Sequence, residues 1–289
     1  MATPSPPPVA VITVSYGSAN VLGTLFDSLK AASVSRVPVF VADNRAPDAV
    51  VEELAQSHGV GYLPMPSNLG YGGAINASAA LISPETEWIL VVNPDVRMEP
   101  GSIDALVAAG RADATIATVG PLTLGNGGEV YPSARAIPSL RTGVGHALFA
   151  NLWLENPWSR AYRNDTDAPP VRRDAGWLSG SCVLIRKSAF DRIGGFDSGY
   201  FMYFEDVDLG YRLGKSGYRN VYEPSAVVTH SGAHSTTSDS ARMIAAHHAS
   251  AQRFLNRKYS RPLLWPVRFG LTIGLQLRSA VMSRQLRRQ

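Results

Sequence analysis

Trp88-Ile89-Leu90-Val91-Val92-Asn93-Pro94-Asp95 is a short apolar run that stops on an acidic residue. A continuous Ile/Leu/Val run of this length reads as a strand buried on both faces, as in a parallel sheet. Pro94 has no N–H to give a ladder, so the strand ends there. Asp95 then stands at the carboxyl edge of a central strand, where open α/β sheets bind their ligands. A carboxylate at that edge is placed to hold a divalent cation bridging a diphosphate. Asn, Pro and Asp are also common turn residues, and a plain turn is the competing reading.

The segments around this run alternate in kind. Val9 to Tyr16 is apolar and β-branched and reads as a first strand. Asn20 to Ala32 has helical spacing in Val21, Leu22, Leu25 and Leu29, and Val37 to Ala42 is a second apolar run ending on Asp43-Asn44. Asp48 ahead of Val51, Leu54 and Ala55 predicts a capped helix. Val60 to Leu63, a Gly-rich turn into a small-residue helix over 70–82, and a helix over Gly101 to Ala109 complete the first half. Strands alternating with helices call for βαβ units, hence an α/β fold with a Rossmann-like, mostly parallel sheet flanked by helices.

After Gly120 the pattern changes. Residues 125–175 are irregular and rich in Gly, Pro, Trp and Arg; a long loop inside a compact domain is usually functional. Regularity returns from Trp177 to Arg186 and from Phe190 to Leu213, with strands near Val221–Tyr222 and Ala226–Thr229. Residues 231–240 read as flexible and Met243 to Tyr259 as helical. The organisation expected is a flexible leader at 1–8, one half over 9–120, a second over 121–240, and C-terminal helices with a basic tail over 241–289.

Composition limits the classes. The 289 residues are 45% hydrophobic, which suits a substantial core and excludes a disordered chain. A lone cysteine, Cys182, excludes an internal disulfide framework and a Cys-based zinc site; in its apolar run it reads as a small buried hydrophobe. The Pro-rich leader lacks the charged and apolar regions of a signal peptide. No stretch reaches the roughly 20 apolar residues that span a bilayer, so the default compartment is the cytoplasm. The net charge of +4 hides an asymmetry: Arg261, Arg268, Arg278, Arg284, Arg287 and Arg288 close the chain with no acid among them, leaving the body at −2.

Polar residues gather where strands end. Ser15-Tyr16, Asp43-Asn44 and Asn93-Pro94-Asp95 share one predicted edge, where an aromatic ring can stack on a nucleobase and a carboxylate can accept its ring N–H. In Asn68-Leu69-Gly70-Tyr71-Gly72-Gly73-Ala74-Ile75-Asn76, glycines let backbone N–H groups approach an anion at a helix start. The block matches neither the dinucleotide fingerprint nor the P-loop, and a tight strand-to-helix turn is its alternative. Further on, Glu205, Asp206 and Asp208 sit in an apolar, aromatic stretch after Gly194-Gly195-Phe196-Asp197. Burial raises carboxyl pKa values, which suits a general base; capping of a helix start is the competing role. On a helix, Glu205 and Asp208 share a face and Asp206 points elsewhere. His230 ends a strand and is a second metal-ligand candidate. His247-His248 lie on a polar helical stretch and read as exposed.

These blocks occur in one order, and the ordered set resembles the family 2, GT-A fold, inverting glycosyltransferases from about Val9 to His230. Asn-Pro-Asp in place of Asp-x-Asp, with Phe201-Met202-Tyr203-Phe204-Glu205-Asp206, is similar to the rhamnosyltransferase branch. That resemblance implies a dTDP-L-rhamnose donor and an N-acetylglucosaminyl-diphosphoryl-polyprenol acceptor in cell-wall linker synthesis. It implies that Tyr16 and Asp43 contact the pyrimidine base, with Ser15 and Asn44 beside it. Asn68, Gly70, Tyr71 and Asn76 would line the nucleoside and diphosphate. Asp95, with His230, would coordinate Mg²⁺ or Mn²⁺; Asp206 would be the catalytic base and Glu205 would orient the acceptor. Asn93 departs from the acid found in many members, lowering the site charge by one while still able to bond a ribose or a metal-bound water.

A polyprenyl acceptor brings the enzyme to a membrane, peripherally on its inner face. The tail from Val267 sets Phe269, Leu271, Ile273, Leu275, Leu277, Val281, Met282 and Leu286 among arginines, fitting a segment that lies in the interface. Its apolar residues alternate over 267–277, unlike a clean amphipathic helix, and packing on the domain or on a second subunit of a homo-oligomer is the alternative. Trp153, Trp158 and arginines of 135–173 would extend the same surface. A nucleotidylyltransferase would place a basic Gly-rich loop after its first strand, which Gly17 to Asn20 is not. A binding-only relic would lack the acids, and nucleic-acid binding is disfavoured by the acidic body.

Overall fold

The computed structural model of the protein describes residues 9–45, 47–139, 170–232, 240–266, 269–270 and 272–274, with backbone alone for 240–245. The leader, Trp153, Trp158 and most of the 125–175 loop, residues 233–239, and the tail residues Leu271, Leu275, Leu277, Val281, Met282 and Leu286 lie outside that set.

The chain order begins β1 (Val9–Ser15), α1 (Ala19–Ala32), β2 (Val39–Asp43), α2 (Ala49–His58), β3 (Gly61–Pro64), α3 (Gly70–Ala79) and β4 (Trp88–Val92). It continues β5 (Val96–Met98), α4 (Ser102–Arg111), β6 (Ile116–Leu124), β7 (Val130–Tyr131) and β8 (Ala134–Arg135). Then come β9 (Arg173–Ala175), β10 (Trp177–Leu178), β11 (Cys182–Arg186), α5 (Lys187–Arg192), α6 (Glu205–Lys215), β12 (Arg219–His230) and α7 (Ser240–Lys258). One ten-stranded sheet runs β3-β2-β1-β4-β11-β6-β12-β5, with β7 added to β6 and β9 to β12. The first four strands are mutually parallel, and β12 is parallel to β6. Since β11 is antiparallel to both β4 and β6, only β11 and β5 oppose the common direction along that path.

Both faces of the sheet are covered, as the Ile/Leu/Val runs require. Trp88, Leu90 and Val92 pack with Val9, Val11 and residues of α1, α2 and α4, while Ile89 and Val91 pack with Ala10, Ile12 and residues of α3, α5 and α6. Asp48 caps α2 by accepting from the Val50 N–H, and Gly59 ends that helix in the left-handed conformation. A third cluster, Tyr200, Val207 and Phe254, joins α7 to α6.

The structure corrects several boundaries. Residues 116–124 form the full strand β6, hidden from pattern reading by Thr118, Gly120 and Pro121. Val96–Met98 pairs with β12 although Arg97 points to solvent. The two strands expected at 221–222 and 226–229 are one, β12, with a register shift between Glu223 and Val227 that accommodates Pro224. The 177–186 run is broken at Ser179-Gly180-Ser181 into β10 and β11. In the tail, residues 265–266, 269–270 and 272–274 are helical.

Helix α6 is seated by contact too close for a side chain. A Cβ on Gly210 would lie 2.8 Å from the Gly176 carbonyl oxygen and 2.8 Å from the Trp177 Cα, and backbone cannot yield as a side chain can. Buried Asn220 fixes the same junction, donating to the carbonyls of Gly176 (2.9 Å) and Gly210 (3.2 Å) while accepting from the Thr118 hydroxyl (2.7 Å). Gly210→Ala is expected to lower the free energy of unfolding by roughly 1–3 kcal/mol in urea titration. Alanine's advantage in a helix of about 1 kcal/mol would otherwise make the variant more stable, so a stabilised protein would mean that this contact does not constrain α6.

Candidate active site

The shared strand direction brings the polar strand ends together. Ser15 is in register with Asp43, and His230 pairs across from Val96, next to Asp95. Ser15 is buried, and its hydroxyl accepts the Ser18 N–H, shaping the turn after β1. Tyr16 is half exposed at that turn. Asp43 is fully buried; its Oδ2 accepts from the Tyr62 hydroxyl and the Asp48 N–H, both at 2.9 Å. Its Oδ1 has no partner among the described residues.

The three asparagines of this region act on the main chain. Asn44 donates to Asn68 Oδ1 and to the Gly70 carbonyl, both at 3.1 Å, and accepts the Leu69 N–H at 2.9 Å. Asn68 Oδ1 also accepts the Gly70 N–H. Asn76 accepts the Phe196 N–H at 2.9 Å and donates to the Phe196 carbonyl at 2.8 Å. The glycines serve close packing: Gly70 has φ +73° with the Phe201 carbonyl against it, and a Cβ on Gly72 would come within 2.8 Å of the Phe196 Cβ. With the Tyr71 N–H given to Phe201, the first amides of α3 are engaged inside the protein. The Gly-rich start of α3 is thus a seat for residues 195–204. The Tyr71 hydroxyl donates to the Gly180 carbonyl at 2.7 Å. Burial pushes it well above its ordinary pKa, reinforced by the charges of Glu205, Asp206 and Asp95.

Asp95 and His230 converge, with Oδ1 and Nε2 3.1 Å apart and the Asn93 amide nitrogen 3.5 Å from the same Nε2. Asp95 Oδ2 accepts the Gly232 N–H. Burial pushes the Asp95 carboxyl up, but the hydrogen bond and charge of His230 and the backbone donors outweigh it, leaving the pKa below the ordinary value. A carboxylate oxygen and an imidazole nitrogen this close fit neighbouring ligands of an octahedral divalent ion, which lie about 3 Å apart. Among the described residues no third His, Cys, Asp or Glu joins them.

The acids divide at the start of α6. Tyr203 (φ +67°) and Phe204 (φ +66°) are both left-handed, a conformation that costs on the order of 1–3 kcal/mol for each non-glycine residue and collects at functional sites. Glu205 follows, buried, with Oε2 unpartnered. Burial first, and then the Asp206 charge, raises its pKa to about 8. Burial also raises Asp206, opposed by the N–H groups of Gly180 (3.0 Å) and Val207 (2.8 Å) that it accepts. Asp208 goes a different way: fully buried, it accepts from Arg212 Nε and Arg257 Nη1, both at 2.6 Å. Arg212 also donates to the carbonyls of Ile193 and Gly195, and Arg257 reaches Asp197 at 2.6 Å, beside Arg253.

Sequence reading missed Gly180, which contacts Asp206 through its N–H and Tyr71 through its carbonyl. The break of an apolar run by Ser179-Gly180-Ser181 was its visible signal. Arg135, whose charge lowers the Asp206 pKa, stands on β8. Cys182 is buried and its thiol is pushed up to about 12, as expected of an inert side chain.

Comparison with known proteins fits this arrangement. The family described as "Glycosyltransferase like family 2" matches residues 6–249. The chain belongs to glycosyltransferase family 2. It is 44% identical over 284 residues to the N-acetylglucosaminyl-diphospho-decaprenol L-rhamnosyltransferase of Mycobacterium tuberculosis, covering 95% of this chain and 92% of that protein. It is 26% identical over 257 residues to the rhamnosyltransferase WbbL of Escherichia coli K12, covering 86% of this chain and 93% of that one. Among solved structures, a mannosyltransferase of Pyrobaculum calidifontis in complex with GDP-Man and Mn²⁺ superposes with a TM-score of 0.59 at 16% identity, over 96% of this chain and 72% of that one. GalNAc-T7 with UDP, GalNAc and Mn²⁺ gives 0.58 at 15%, over 77% of this chain and 43% of that one. At such identities the likeness is one of fold, and the fold is GT-A.

In this family 2 protein the Glu205 pKa gives a test that needs no substrate. Its folded value of about 8 lies above the ordinary 4.5, so the folded chain holds a proton that the unfolded chain has released. The associated stability is complete below about pH 4.5 and is lost as pH rises through about 8. Glu205→Gln abolishes that titration. The melting temperature of the variant, relative to wild type, is expected to climb steadily between about pH 5 and pH 9; a constant difference would mean that Glu205 does not titrate there.

Proposed function

We propose that the chain is an inverting glycosyltransferase that moves L-rhamnose from dTDP-L-rhamnose to a hydroxyl of N-acetylglucosaminyl-diphosphoryl-polyprenol, in cell-wall linker synthesis. The reading is carried by the 44% identity, over nearly the whole of both chains, to the M. tuberculosis enzyme named for that transfer. The raised carboxyl pair beside Gly180 supports it chemically.

On this reading residues 9–120 hold the donor. The free Asp43 Oδ1 accepts the N–H of the pyrimidine ring, and Tyr16 stacks against the ring. Ser15, Asn44, Asn68 and Asn76 hold the turns and loops that shape the pocket, with Gly70 and Tyr71 forming its wall. Asp95 and His230 hold Mg²⁺ or Mn²⁺, with the Asn93 amide beside them; when bound, the cation neutralises the departing diphosphate. Residues 121–240 receive the acceptor. The Asp206 carboxylate takes the proton of the acceptor hydroxyl as that oxygen bonds to C1 of rhamnose. The C1–O bond to the diphosphate breaks on the opposite face and its electron pair leaves with dTDP. Glu205, neutral, keeps its proton to orient the acceptor. One base suffices, because the diphosphate leaves as an anion and needs no general acid to protonate it, unlike the leaving group of a glycoside hydrolase. The lipid-linked acceptor places the work at the inner face of the cell membrane.

Asp206→Asn is expected to cut transfer by roughly 100- to 10,000-fold, the usual contribution of a general base, with dTDP affinity by calorimetry unchanged. Wild-type turnover in that variant would remove Asp206 from the chemistry. In a panel of nucleotide sugars offered with acceptor and divalent ion, dTDP-rhamnose is the one expected to be consumed, and chelation is expected to stop it. Consumption of another sugar in its place would overturn the donor assignment.

A further inference from the structure

Four large apolar side chains stand in solvent between residues 263 and 273: Leu263 (89% exposed), Trp265 (62%), Phe269 (61%) and Ile273 (41%). Leu263 lies in a short 3₁₀ turn over Pro262–Leu264, next to exposed Arg261. Trp265, Phe269 and Ile273 recur at every fourth position, a spacing that sets side chains on one face of a helix, and residues 265–266, 269–270 and 272–274 are helical. The segment is tied back to the body: the Gln252 amide on α7 donates to the Thr272 hydroxyl at 3.2 Å. With Thr272 turned to α7, the aromatic and aliphatic stripe stays outside. A contiguous exposed stripe of this kind marks an interaction surface, unlike scattered single residues.

The charge around the stripe selects the occupant. Six arginines and no acid lie from Arg261 to the end of the chain, on a body of net −2. A second copy seated through the same face would set arginine-rich segments against each other. An anionic bilayer surface accepts both features, the rings at the headgroup level and the guanidinium groups among the phosphates. Among the described residues no helix is long and apolar enough to cross a membrane. We infer that Leu263, Trp265, Phe269 and Ile273 form a docking face that seats the protein on anionic lipid. This rests on the lipid-linked acceptor of the proposed function, which has to be met at a bilayer.

The test is co-sedimentation of the full chain with vesicles of phosphatidylcholine containing phosphatidylglycerol, and with phosphatidylcholine alone. Wild type is expected to sediment with the anionic vesicles, less so in high salt. The W265S/F269S double variant changes only exposed side chains and is expected to bind roughly tenfold more weakly or worse. On a water-soluble short-chain acceptor the double variant is expected to keep wild-type turnover, while losing it on acceptor embedded in vesicles. Equal sedimentation of wild type and variant would overturn the docking face. So would a wild-type dimer in sedimentation velocity that the substitutions dissolve, since the stripe would then be a subunit contact. Vesicle binding without turnover of dTDP-rhamnose on either acceptor would instead overturn the proposed reaction and leave the docking face standing.

Discussion

A carboxylate with no access to water, Asp208, organises the second half of this protein. A buried charge is tolerated only when paired and hydrogen-bonded, and Asp208 takes two guanidinium groups, one from its own helix and one from α7. Arg212 spends its remaining donors on the carbonyls of Ile193 and Gly195, and Arg257 its second arm on Asp197. One ion cluster therefore fixes the Gly194-Gly195-Phe196-Asp197 turn, the start of α6 and the last turns of α7. Glu205 and Asp206 sit within a turn of it, which is how a strained Tyr203-Phe204 pair can be held in place ahead of them.

The same half meets residues 70–76 through backbone contacts. Phe196 is gripped by Asn76, the Phe201 carbonyl closes on Gly70 and Tyr71, and Gly180 joins Tyr71 to Asp206. Side chains at these points would force the halves apart. Gly70 and Gly72 are thus explained by the approach of Phe201 and Phe196, and their spacing differs from a phosphate-binding loop because they answer a different neighbour.

What the sequence disclosed follows from how local each signal is. The strands β1, β2 and β4 were readable because burial on both faces leaves an unbroken apolar run, and the sheet-edge residues Ser15, Asp43, Asp95 and His230 follow from where those runs stop. Strands β5 and β6 were not, since Arg97 in one and Thr118, Gly120 and Pro121 in the other break the pattern. The acids of α6 show the deeper obstacle. Asp206 and Asp208 are alike in type and neighbourhood, yet one faces Gly180 and the other is neutralised by an arginine far along the chain. The asparagines pose the same problem, because an amide that will bond a ligand and one that pins a backbone turn have the same letter. Only the fold tells Asn76, with both amide ends on Phe196, from a free side chain.

The position of Arg257 also bears on the order in which the protein matures. The match to the family as a whole ends at residue 249, within α7, and both Arg253 and Arg257 lie beyond it. During synthesis the strands of the sheet and α6 all emerge before the arginine that neutralises Asp208. Until it arrives, the buried carboxylate lacks half of its compensation, and the start of α6 lacks its outer brace. The start of α6, with Glu205 and Asp206, therefore depends on a residue 49 positions beyond Asp208, supplied only when α7 is in place.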